Sequence, residues 1–577
     1  MTRRGPETER LVEWGWCALL VVAALGPALW RAGYVLRSDM VFVPHQPWKG
    51  TWLGLDGTVG RAVPADAIVS VLTHLVSGDV VQKLVLGGSL LLAGLAVRAL
   101  VADCCLAGRL AATTLYVWNP WVEERLAIGQ WGTVLGYALL PWVVVAARGL
   151  RRDRPGRGVP LLVLALAGCS ACTPSAGLLA GATALAVVVT GRNGRATRAG
   201  VVVLTTLVVS LPWVLPSLLG GGLRAASGGQ FQVFGARAES GLGTAASVFS
   251  LGGIWKAAAV PPERTSSAIV LLSLVVTCVA IAGAARWWSV TRDRTCLGLA
   301  LLAAVSVVLA LAAAVPGVAA ALDSASVSVP ALGFVRDSQR FLAPLALLLA
   351  VGTAWSVDWL WRRARVDGAR ILAGALVPLP ALLLPTMAWG LHGDFRPVQY
   401  PAEWGTVARQ LADRPQPDRA TVVLPWHGSY RGFAWNGHHA VLDPADRFFP
   451  GPVLVDDRLY VGSHVVGSER ALLGRVGDAL AAPDPARRLR ALGVRRILVE
   501  KGNGQPASAV PTGRIVHDGP QLRLVDLGTA ASLPRSGPPT LPVLAVDAGW
   551  AVLVPACAAL LVASRRGVSV RQRARPR

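Results

Sequence analysis

Long apolar stretches alternate with short polar stretches along most of this chain. Runs of about 20 apolar residues, enough to cross a hydrocarbon core of about 30 Å, recur up to residue 390 and once more near the C-terminus. The pattern predicts a polytopic α-helical membrane protein with about twelve transmembrane helices. The predicted spans lie near 13–35, 82–102, 104–118, 126–148, 158–173, 175–191, 198–219, 267–286, 295–321, 338–361, 370–390 and 546–564.

Clusters of arginine between the spans predict the orientation. Lysine and arginine in short loops stay in the cytoplasm. With a cytoplasmic N-terminus and a first span that is retained, every strong basic cluster falls on the cytoplasmic side. We therefore expect a bacterial plasma-membrane protein with both termini in the cytoplasm. The clusters lie at 148–157, 191–198, 286–294, 362–370 and in the tail at 564–577.

The same arrangement places four long loops outside the cell. They comprise residues 36–81, 220–266, 322–337 and 391–545. The last loop is more polar and contains strand-like runs at 420–426, 452–457, 495–500 and 521–527, with an amphipathic helix at 486–494.

We therefore predict three parts of the chain. Residues 1–390 form a transmembrane domain, 391–545 form a small extracytoplasmic α/β domain, and 546–577 carry the last helix with its basic tail. Within the first loop, residues 66–76 have the pattern of a helix that lies in the membrane interface.

Composition excludes several classes of function. The net charge of +23 accompanies 53% hydrophobic and only 15% charged residues. Because the basic residues are dispersed between apolar runs, they do not form the basic face of a nucleic-acid-binding protein. All eight cysteines fall in or beside apolar runs, which argues against a disulfide framework. Cys169 and Cys172 have CxxC spacing but lack a second pair of ligands.

Two clusters of candidate functional residues lie at predicted outer ends of spans. The first, in GYVLRSDMVFVPHQPW (33–48), contains Asp39, His45 and Trp48. The second, in WNPWVEERLAIGQWG (118–132), contains Glu123, Glu124 and Arg125. Tryptophans favour the membrane interface without any further function. Charges at membrane depth generally pair or line a cavity, so the second cluster indicates a site.

A third cluster, GFVRDSQRFLAP (333–344), begins a later span. On an α-helix Arg336 and Arg340 would project from one face and form a fork for a phosphate, with Asp337 between them. The alternative is a simple helix start capped by Asp337 or Ser338. No GxSxG, Walker A or GxGxxG signature appears in the appropriate context.

Three short motifs resemble the GT-C superfamily of polytopic glycosyltransferases, and within it the actinobacterial arabinofuranosyl- and mannosyltransferase-like proteins. They are RSDM in the first loop, NPWVEERLAIGQW, and VRDSQRF. The segment LGVRRILVE is similar to ectodomains of large membrane proteins that decorate cell-wall polymers. The resemblance implies a GT-C-like fold and transfer of a sugar from a polyprenyl-phosphate donor to an envelope glycan or lipid acceptor at the outer leaflet.

The resemblance also implies roles for the three clusters. Asp39 corresponds to an acid that serves as general base or helps to hold a divalent cation. Many family members carry two adjacent acids there, so the lone carboxylate favours a metal-independent base. Leaving-phosphate stabilisation falls to Arg336, Arg340 and Arg125. The supporting, substrate-binding set comprises Glu123, Glu124, Asp337, His45 and Trp48.

Two other classes of function remain open at this point. A transporter or flippase of lipid-linked sugars places coupling groups near the bilayer midplane and often shows internal repeats. Here the middles of the spans are nearly free of acids, and no repeat is evident. A non-catalytic protein that binds or assembles envelope polymers is the other alternative, and the single acid in the first loop keeps it open.

Overall fold

A computed structural model describes most of the chain: residues 6–57, 60–152, 155–191, 194–220, 230–363, 367–413, 415–461, 464–468, 470–506, 508–534 and 537–573. Parts of the predicted loops and of the basic clusters therefore lie outside the described residues, namely 58–59, 153–154, 192–193, 221–229, 364–366, 414, 462–463, 469, 507, 535–536 and 574–577.

Helices dominate the described residues. In chain order they are α1 Pro6–Trp30, α2 Ala65–Leu75, α3 Gly78–Arg98, α4 Leu106–Val117, α5 Pro120–Ala127, α6 Trp131–Arg151, α7 Pro155–Cys172, α8 Pro174–Val189, α9 Arg195–Leu219, α10 Gln230–Phe234, α11 Gly243–Phe249, α12 Ser267–Thr291, α13 Thr295–Ala312, α14 Pro316–Ser328, α15 Ala343–Arg363, α16 Asp367–Ala375, α17 Leu379–Leu383, α18 Ala388–Gly393, α19 Ala402–Ala412, α20 Ala445–Phe448, α21 Ala471–Leu480, α22 Pro485–Ala491 and α23 Thr540–Arg573.

Eight of the described helices are long and apolar enough to cross a membrane: α1, α3, α6, α9, α12, α13, α15 and α23. The polytopic membrane fold is therefore confirmed, although this number is lower than the expected twelve. The difference lies in the short helices α4, α7 and α8 and in the predicted span 370–390. Pro378, Pro380 and Pro385 break that last span, because proline cannot continue a helical hydrogen-bond ladder.

Basic loops meet at one end of the bundle. Arg148 and Arg151 at the end of α6 both reach Asp293 in the loop between α12 and α13, at 2.9 and 3.6 Å. Arg294 in the same loop donates to the carbonyl of Thr190, 3.3 Å away, at the end of α8. Three of the predicted basic clusters therefore share one side of the bundle.

Helix α15 lies at the centre of the bundle, and all of its residues from Ala343 to Ala354 are buried. Its close neighbour is α12, and glycines permit the contact. A Cβ on Gly352 would lie 2.0 Å from the carbonyl oxygen of Ala280, and one on Gly283 would lie 1.9 Å from the carbonyl oxygen of Gly352. The two backbones therefore touch directly, as small residues allow in membrane bundles.

Residues 394–534 form a second region, the C-terminal α/β unit. Its strands are β1 Ala420–Leu424, β2 Tyr430–Arg431, β3 Val441–Leu442, β4 Val453–Leu454, β5 Leu459–Val461, β6 His464–Val466, β7 Val494–Glu500, β8 Arg514–Asp518 and β9 Leu522–Asp526. Five of them form a mixed sheet in the order β4-β1-β7-β9-β8, with β4, β1 and β7 parallel and β9 and β8 antiparallel. All four predicted strands are present.

The predicted amphipathic helix of this unit is α22, with Ala486 and Leu489 buried against the sheet. Gly493 follows the helix closely, and its φ of +88° suits the left-handed conformation that commonly ends a helix. The small α/β region is therefore confirmed, and β7 follows directly from that turn.

The C-terminal α/β unit is joined closely to the segment that follows α1, residues 31–57, here called the first-loop segment. Tyr34 and Val398 exchange backbone hydrogen bonds of 2.8 and 2.9 Å, and Tyr400 donates its hydroxyl to the carbonyl of Phe42 at 3.0 Å. Lys49 also forms an ion pair of 3.0 Å with Asp446. One continuous apolar core runs from the bundle into this unit.

Candidate functional site

Asp39 lies half-buried where the first-loop segment meets the C-terminal α/β unit. Its Oδ1 accepts a hydrogen bond from the hydroxyl of Tyr430. The half-buried Lys256 supplies a nearby cation: its Nζ donates to Ser38 Oγ at 3.0 Å and lies 5.9 Å from the centre of the Tyr430 ring. Burial lowers the pKa of Lys256, and the charge of Asp39 opposes that effect. An acid, a phenol and an amine thus meet at one point.

The backbone around Asp39 is fixed on two sides. Ser38 donates its N–H to Ala440 at 2.6 Å, and its carbonyl accepts from Leu442 at 2.8 Å. The N–H of Asp39 donates to the carbonyl of Ile128 at the end of α5, 3.1 Å away. Gly129 makes this approach possible, because a Cβ there would lie 2.3 Å from the backbone nitrogen of Met40. The RSDM motif is therefore held between α5 and the α/β unit.

The second and third sequence clusters form one buried ionic group. Arg125 donates to both carboxylate oxygens of Asp337, at 2.5 and 3.0 Å, and the two side chains are 0% and 3% exposed. Arg340 donates to Asp337 as well, at 3.0 Å, and to Ser175 Oγ at 3.1 Å. Burial alone would raise the pKa of Asp337, but Arg125 and Arg340 outweigh it and lower that pKa.

Gln339 connects this ionic group to a buried pair of acids. Its Nε2 donates to Glu124 Oε2 at 2.9 Å, and its Oε1 accepts from Arg125. Burial raises the pKa of Glu124 well above its usual range, and the adjacent Glu239 adds to the effect. Glu239 itself is ion-paired with the fully buried Arg264 at 2.6 Å. Burial therefore favours the protonated form of Glu124, and Glu239 lies close enough to form a hydrogen bond with it.

Glu123 belongs to a separate group of acids beside α5. The Thr386 hydroxyl oxygen lies 2.9 Å from Glu123 Oε1 and 2.7 Å from both carboxylate oxygens of Glu263. Burial raises the pKa of Glu123 to about 8; Glu263 reinforces this shift, and the hydrogen bond with Thr386 opposes it. The Thr386 hydroxyl is the donor toward both carboxyl groups, so its single proton is shared between Glu123 and Glu263.

The predicted arginine fork does not form. Arg336 and Arg340 lie on no common α-helix, because Asp337 has a ψ of 75° and separates two short 3-10 helices. Arg336 instead donates to Gln230 at 2.6 Å and lies over the ring of Phe234. The prediction that Arg336 and Arg340 project from one face of an α-helix is therefore wrong. The alternative, a helix start capped by Asp337 or Ser338, is not observed either, because neither 3-10 helix has a side-chain cap.

His45 and Trp48 take no part in these groups. The Nδ1 atom of His45 lies 2.8 Å from the carbonyl oxygen of Thr73 in α2, and Trp48 is 54% exposed. Both residues belong to the first-loop segment, and no hydrogen bond among the described residues joins either of them to Asp39. Residues 65–75 do form the predicted short helix, α2.

Two clefts open beside the ionic groups. One has an empty volume of about 470 Å³ and mainly apolar walls contributed by α4, α12, α15 and α17, with Asn119 and Arg264 among its lining residues. The other has an empty volume of about 310 Å³ and is lined by Trp121, Tyr137, Ser175 and Arg340, among others. Asp39 lines neither of the two clefts.

The residues around Asp39 do not fit a divalent cation. Such ions take several oxygen ligands, commonly from more than one carboxylate. Beside Asp39 lie a phenol and the amine of Lys256, and a cationic amine opposes binding of a second cation. Within the described ranges, no three His, Cys, Asp or Glu side chains are grouped closely enough to hold a metal ion.

Several residues of these groups were not recognised in the sequence. They are Tyr430, Lys256, Glu239, Glu263, Arg264, Gln339 and Thr386. Gln339 falls inside the VRDSQRF motif, between the two arginines that were predicted to bind phosphate. Lys256 is one of only four lysines in the chain, a rarity that was itself a usable signal. Tyr430 falls in an aromatic-rich segment, residues 425–450, of the kind that can line a carbohydrate groove, and the remaining four carry no local pattern that marks them.

Comparison with known proteins places the fold. No protein-family model matches the chain, and no curated protein matches it. A single-particle cryo-EM structure of the arabinofuranosyltransferase AftD from Mycobacteria is similar, with a TM-score of 0.61 and 17% identity over 92% of this chain and 40% of AftD. A mutant of that protein gives a TM-score of 0.56 and 15% identity, over 92% and 42%. The chain therefore spans less than half the length of AftD and shares its fold, so the resemblance stated from the sequence motifs is confirmed for the fold.

Proposed function

We propose that this protein is a membrane glycosyltransferase. It transfers a sugar from a polyprenyl-phosphate donor to an envelope glycan or lipid acceptor, with Asp39 as the general base. The three sequence motifs and the fold shared with AftD support this class of reaction. Since AftD is an arabinofuranosyltransferase, arabinofuranose is the first donor sugar to test, and mannose is the second.

One observation carries the proposal. The half-buried carboxylate of Asp39 is oriented by a hydrogen bond from Tyr430 and lies beside the cation Lys256, at the junction of the bundle and the α/β unit. A general base must take the proton of the acceptor hydroxyl as that oxygen attacks the anomeric carbon of the donor. The bond from that carbon to the phosphate oxygen breaks at the same time, and the lipid phosphate leaves with the electron pair. Asp39 suits the first task.

The phosphate needs a cation to stabilise its charge as it leaves. Arg340 is the member of the predicted set that lines a cleft, and its side chain is 23% exposed. Two guanidinium groups share the single carboxylate of Asp337, which leaves one net positive charge on the group. We assign phosphate binding to Arg340, with the fully buried Arg125 holding Asp337 behind it.

The lipid part of the donor needs an apolar surface that continues into the membrane. The larger cleft offers an apolar lining, because Leu115, Val276, Leu349 and Leu383 contribute to its walls from four different helices. We assign the isoprenoid chain to this cleft. Glu123, Glu124 and Asp337 are assigned supporting roles: they hold the neighbouring side chains of the site in place and balance its buried positive charges.

Orientation follows from the arginine clusters. The basic loops share one end of the bundle, and positive loops stay in the cytoplasm. The proposed arrangement is a bacterial plasma-membrane protein with both termini in the cytoplasm. Asp39 and the α/β unit then face the outside, where lipid-linked sugars and envelope acceptors meet.

The test is a transfer assay with purified protein in liposomes, using radiolabelled polyprenyl-phosphoryl arabinofuranose and a synthetic arabinoside acceptor. Asp39→Asn is expected to reduce kcat by about 100-fold or more, the usual contribution of a general base. The matched control is Asp79→Asn, which removes an acid from the start of α3 that is ion-paired with Lys83. Transfer by Asp39→Asn within twofold of wild type excludes this residue as the base.

The phosphate assignment is tested in the same assay. Arg340→Gln is expected to raise the donor KM about tenfold or more, because a charged hydrogen bond to the phosphate is lost. Arg362→Gln, in an ion pair at the far end of α15, serves as the control. Equal donor KM values for the two variants would remove Arg340 from the phosphate site.

A further inference from the structure

The Tyr430 hydroxyl is a permanent hydrogen-bond donor to Asp39. Burial raises the pKa of Tyr430 well above its usual range, and the charge of Asp39 reinforces that shift. The phenol therefore keeps its proton at neutral pH. Its proton is directed to Asp39 Oδ1. Among the described residues no donor reaches Oδ2, so that oxygen is left to accept a proton from elsewhere.

Tyr430 is held rigidly within the C-terminal α/β unit. It pairs with Leu442 in the short ladder of β2 and β3, and its carbonyl accepts from Gln505 Nε2 at 3.1 Å. The next residue, Arg431, is fully buried and forms ion pairs of 3.0 Å with both Asp443 and Glu500. The hydroxyl is thus fixed by the core of the α/β unit.

The two partners of this hydrogen bond come from opposite parts of the chain. Asp39 belongs to the first-loop segment, and Tyr430 lies 391 residues later. The adjacent Ser38 is bound to the same hairpin through Ala440 and Leu442, which fixes the register between the two regions. A carboxylate on a loop would otherwise turn freely about its χ angles.

We infer that Tyr430 is a positioning residue for the base, so that the C-terminal α/β unit completes the catalytic site. The inference rests on the proposed function of Asp39. The hydrogen bond to Oδ1 holds the carboxylate in one orientation and presents Oδ2 to the acceptor hydroxyl. Small misplacements of a reacting group are costly in rate, which gives the hydroxyl a catalytic consequence without contact with substrate.

The first variant is Tyr430→Phe, which removes the hydroxyl and retains the ring beside Lys256. It is expected to reduce kcat about tenfold or more and to leave the donor KM within about twofold. The matched control is Tyr400→Phe. It also removes a tyrosine hydroxyl that bonds the α/β unit to the first-loop segment, at Phe42, but away from Asp39. Equal loss of kcat in both variants overturns the inference, because general docking then explains the effect.

A double-mutant cycle separates positioning from structure. If Tyr430 acts through Asp39, the double variant Asp39→Asn/Tyr430→Phe is no slower than Asp39→Asn alone. A further tenfold fall in the double variant overturns the inference and leaves Asp39 as the base. Unchanged transfer by the Asp39→Asn single variant instead overturns the proposed base, a distinct result.

A second measurement does not depend on turnover. Labelling of Asp39 by a water-soluble carbodiimide, quantified by mass spectrometry, reports how freely its carboxyl group is presented. Tyr430→Phe is expected to increase the labelling rate of Asp39 severalfold, whereas Tyr400→Phe leaves it unchanged. An unchanged rate in Tyr430→Phe contradicts a role for this hydroxyl in holding the carboxyl group.

Discussion

Arg125 and Asp337 lie 212 residues apart in the sequence and form a bidentate ion pair in the interior of the protein. The pair joins the helix that carries the NPWVEERLAIGQW motif to the turn that precedes the central helix α15. Two of the three motifs on which the family resemblance rests thus form one structural group. Gln339 links them further, because it accepts hydrogen bonds from both Arg125 and Trp121.

Loss of the Asp337 carboxylate is expected to destabilise the protein strongly. Asp337→Asn leaves Arg125 and Arg340 facing each other without an anion, and removal of one partner from a buried pair typically costs about 3–5 kcal/mol. Thermal unfolding in detergent measures the effect. Asp518→Asn is the control, because its partners Lys501 and Arg523 lie at the surface of the α/β unit. Equal unfolding temperatures for the two variants would contradict a stabilising role for the buried pair.

The raised pKa of Glu123 predicts a dependence of stability on pH. In the unfolded chain this carboxyl ionises near pH 4, whereas in the folded protein its pKa is about 8. A pKa that is raised on folding stabilises the protein below the unfolded value, and this contribution is lost as pH rises through the folded value. We therefore expect the unfolding temperature to fall between about pH 4 and pH 8.

The control for that dependence is Glu123→Gln, which keeps the shape of the side chain and cannot ionise. Its unfolding temperature is expected to decline less over the same pH range than that of wild type. Parallel curves for the two proteins would show that Glu123 does not retain its proton in the folded state.

The contact between α12 and α15 predicts a sharp difference between two glycines. Gly352→Ala places a methyl group against the backbone of α12, where nothing flexible is available to move, and is expected to cost about 1–3 kcal/mol. Gly88→Ala in α3 meets no atom within 4 Å and is expected to be neutral or slightly stabilising. Thermal unfolding of both variants checks the pair, and a reversed order of stability contradicts the close approach of the two helices.

Local pattern predicted the membrane class, the strands of the α/β unit and the helix that ends before Gly493. These features arise from periodicity and from glycine conformation, which act over a few residues. The pattern overestimated the number of full spans where prolines and short helices interrupt it. It also placed Arg336 and Arg340 on one helical face, because nothing in the sequence reveals the non-helical backbone of Asp337.

Contacts between distant segments were beyond such prediction. Glu124, Arg125 and Asp337 were recognised as unusual charges, yet their mutual arrangement depends on how α5 packs against the start of α15. The approach of Tyr430 to Asp39 depends on the docking of a whole region, and a single tyrosine in a strand carries no sign of it. Lys256, which lies beside Ser38 and Tyr430, belongs to the loop between α11 and α12, and its position likewise depends on how distant segments pack.

The backbone pairing of Ser38 with the hairpin residues Ala440 and Leu442 has a consequence for biogenesis. During synthesis the first-loop segment emerges early, but β3, which pairs with Ser38, is translated about 400 residues later. The segment must therefore wait, without its final hydrogen bonds, while the helices between are inserted. Such long-range pairing forms late in folding. The junction at Asp39 is then among the last parts of the molecule to assemble. The proposed catalytic site is therefore complete only when the whole chain has folded.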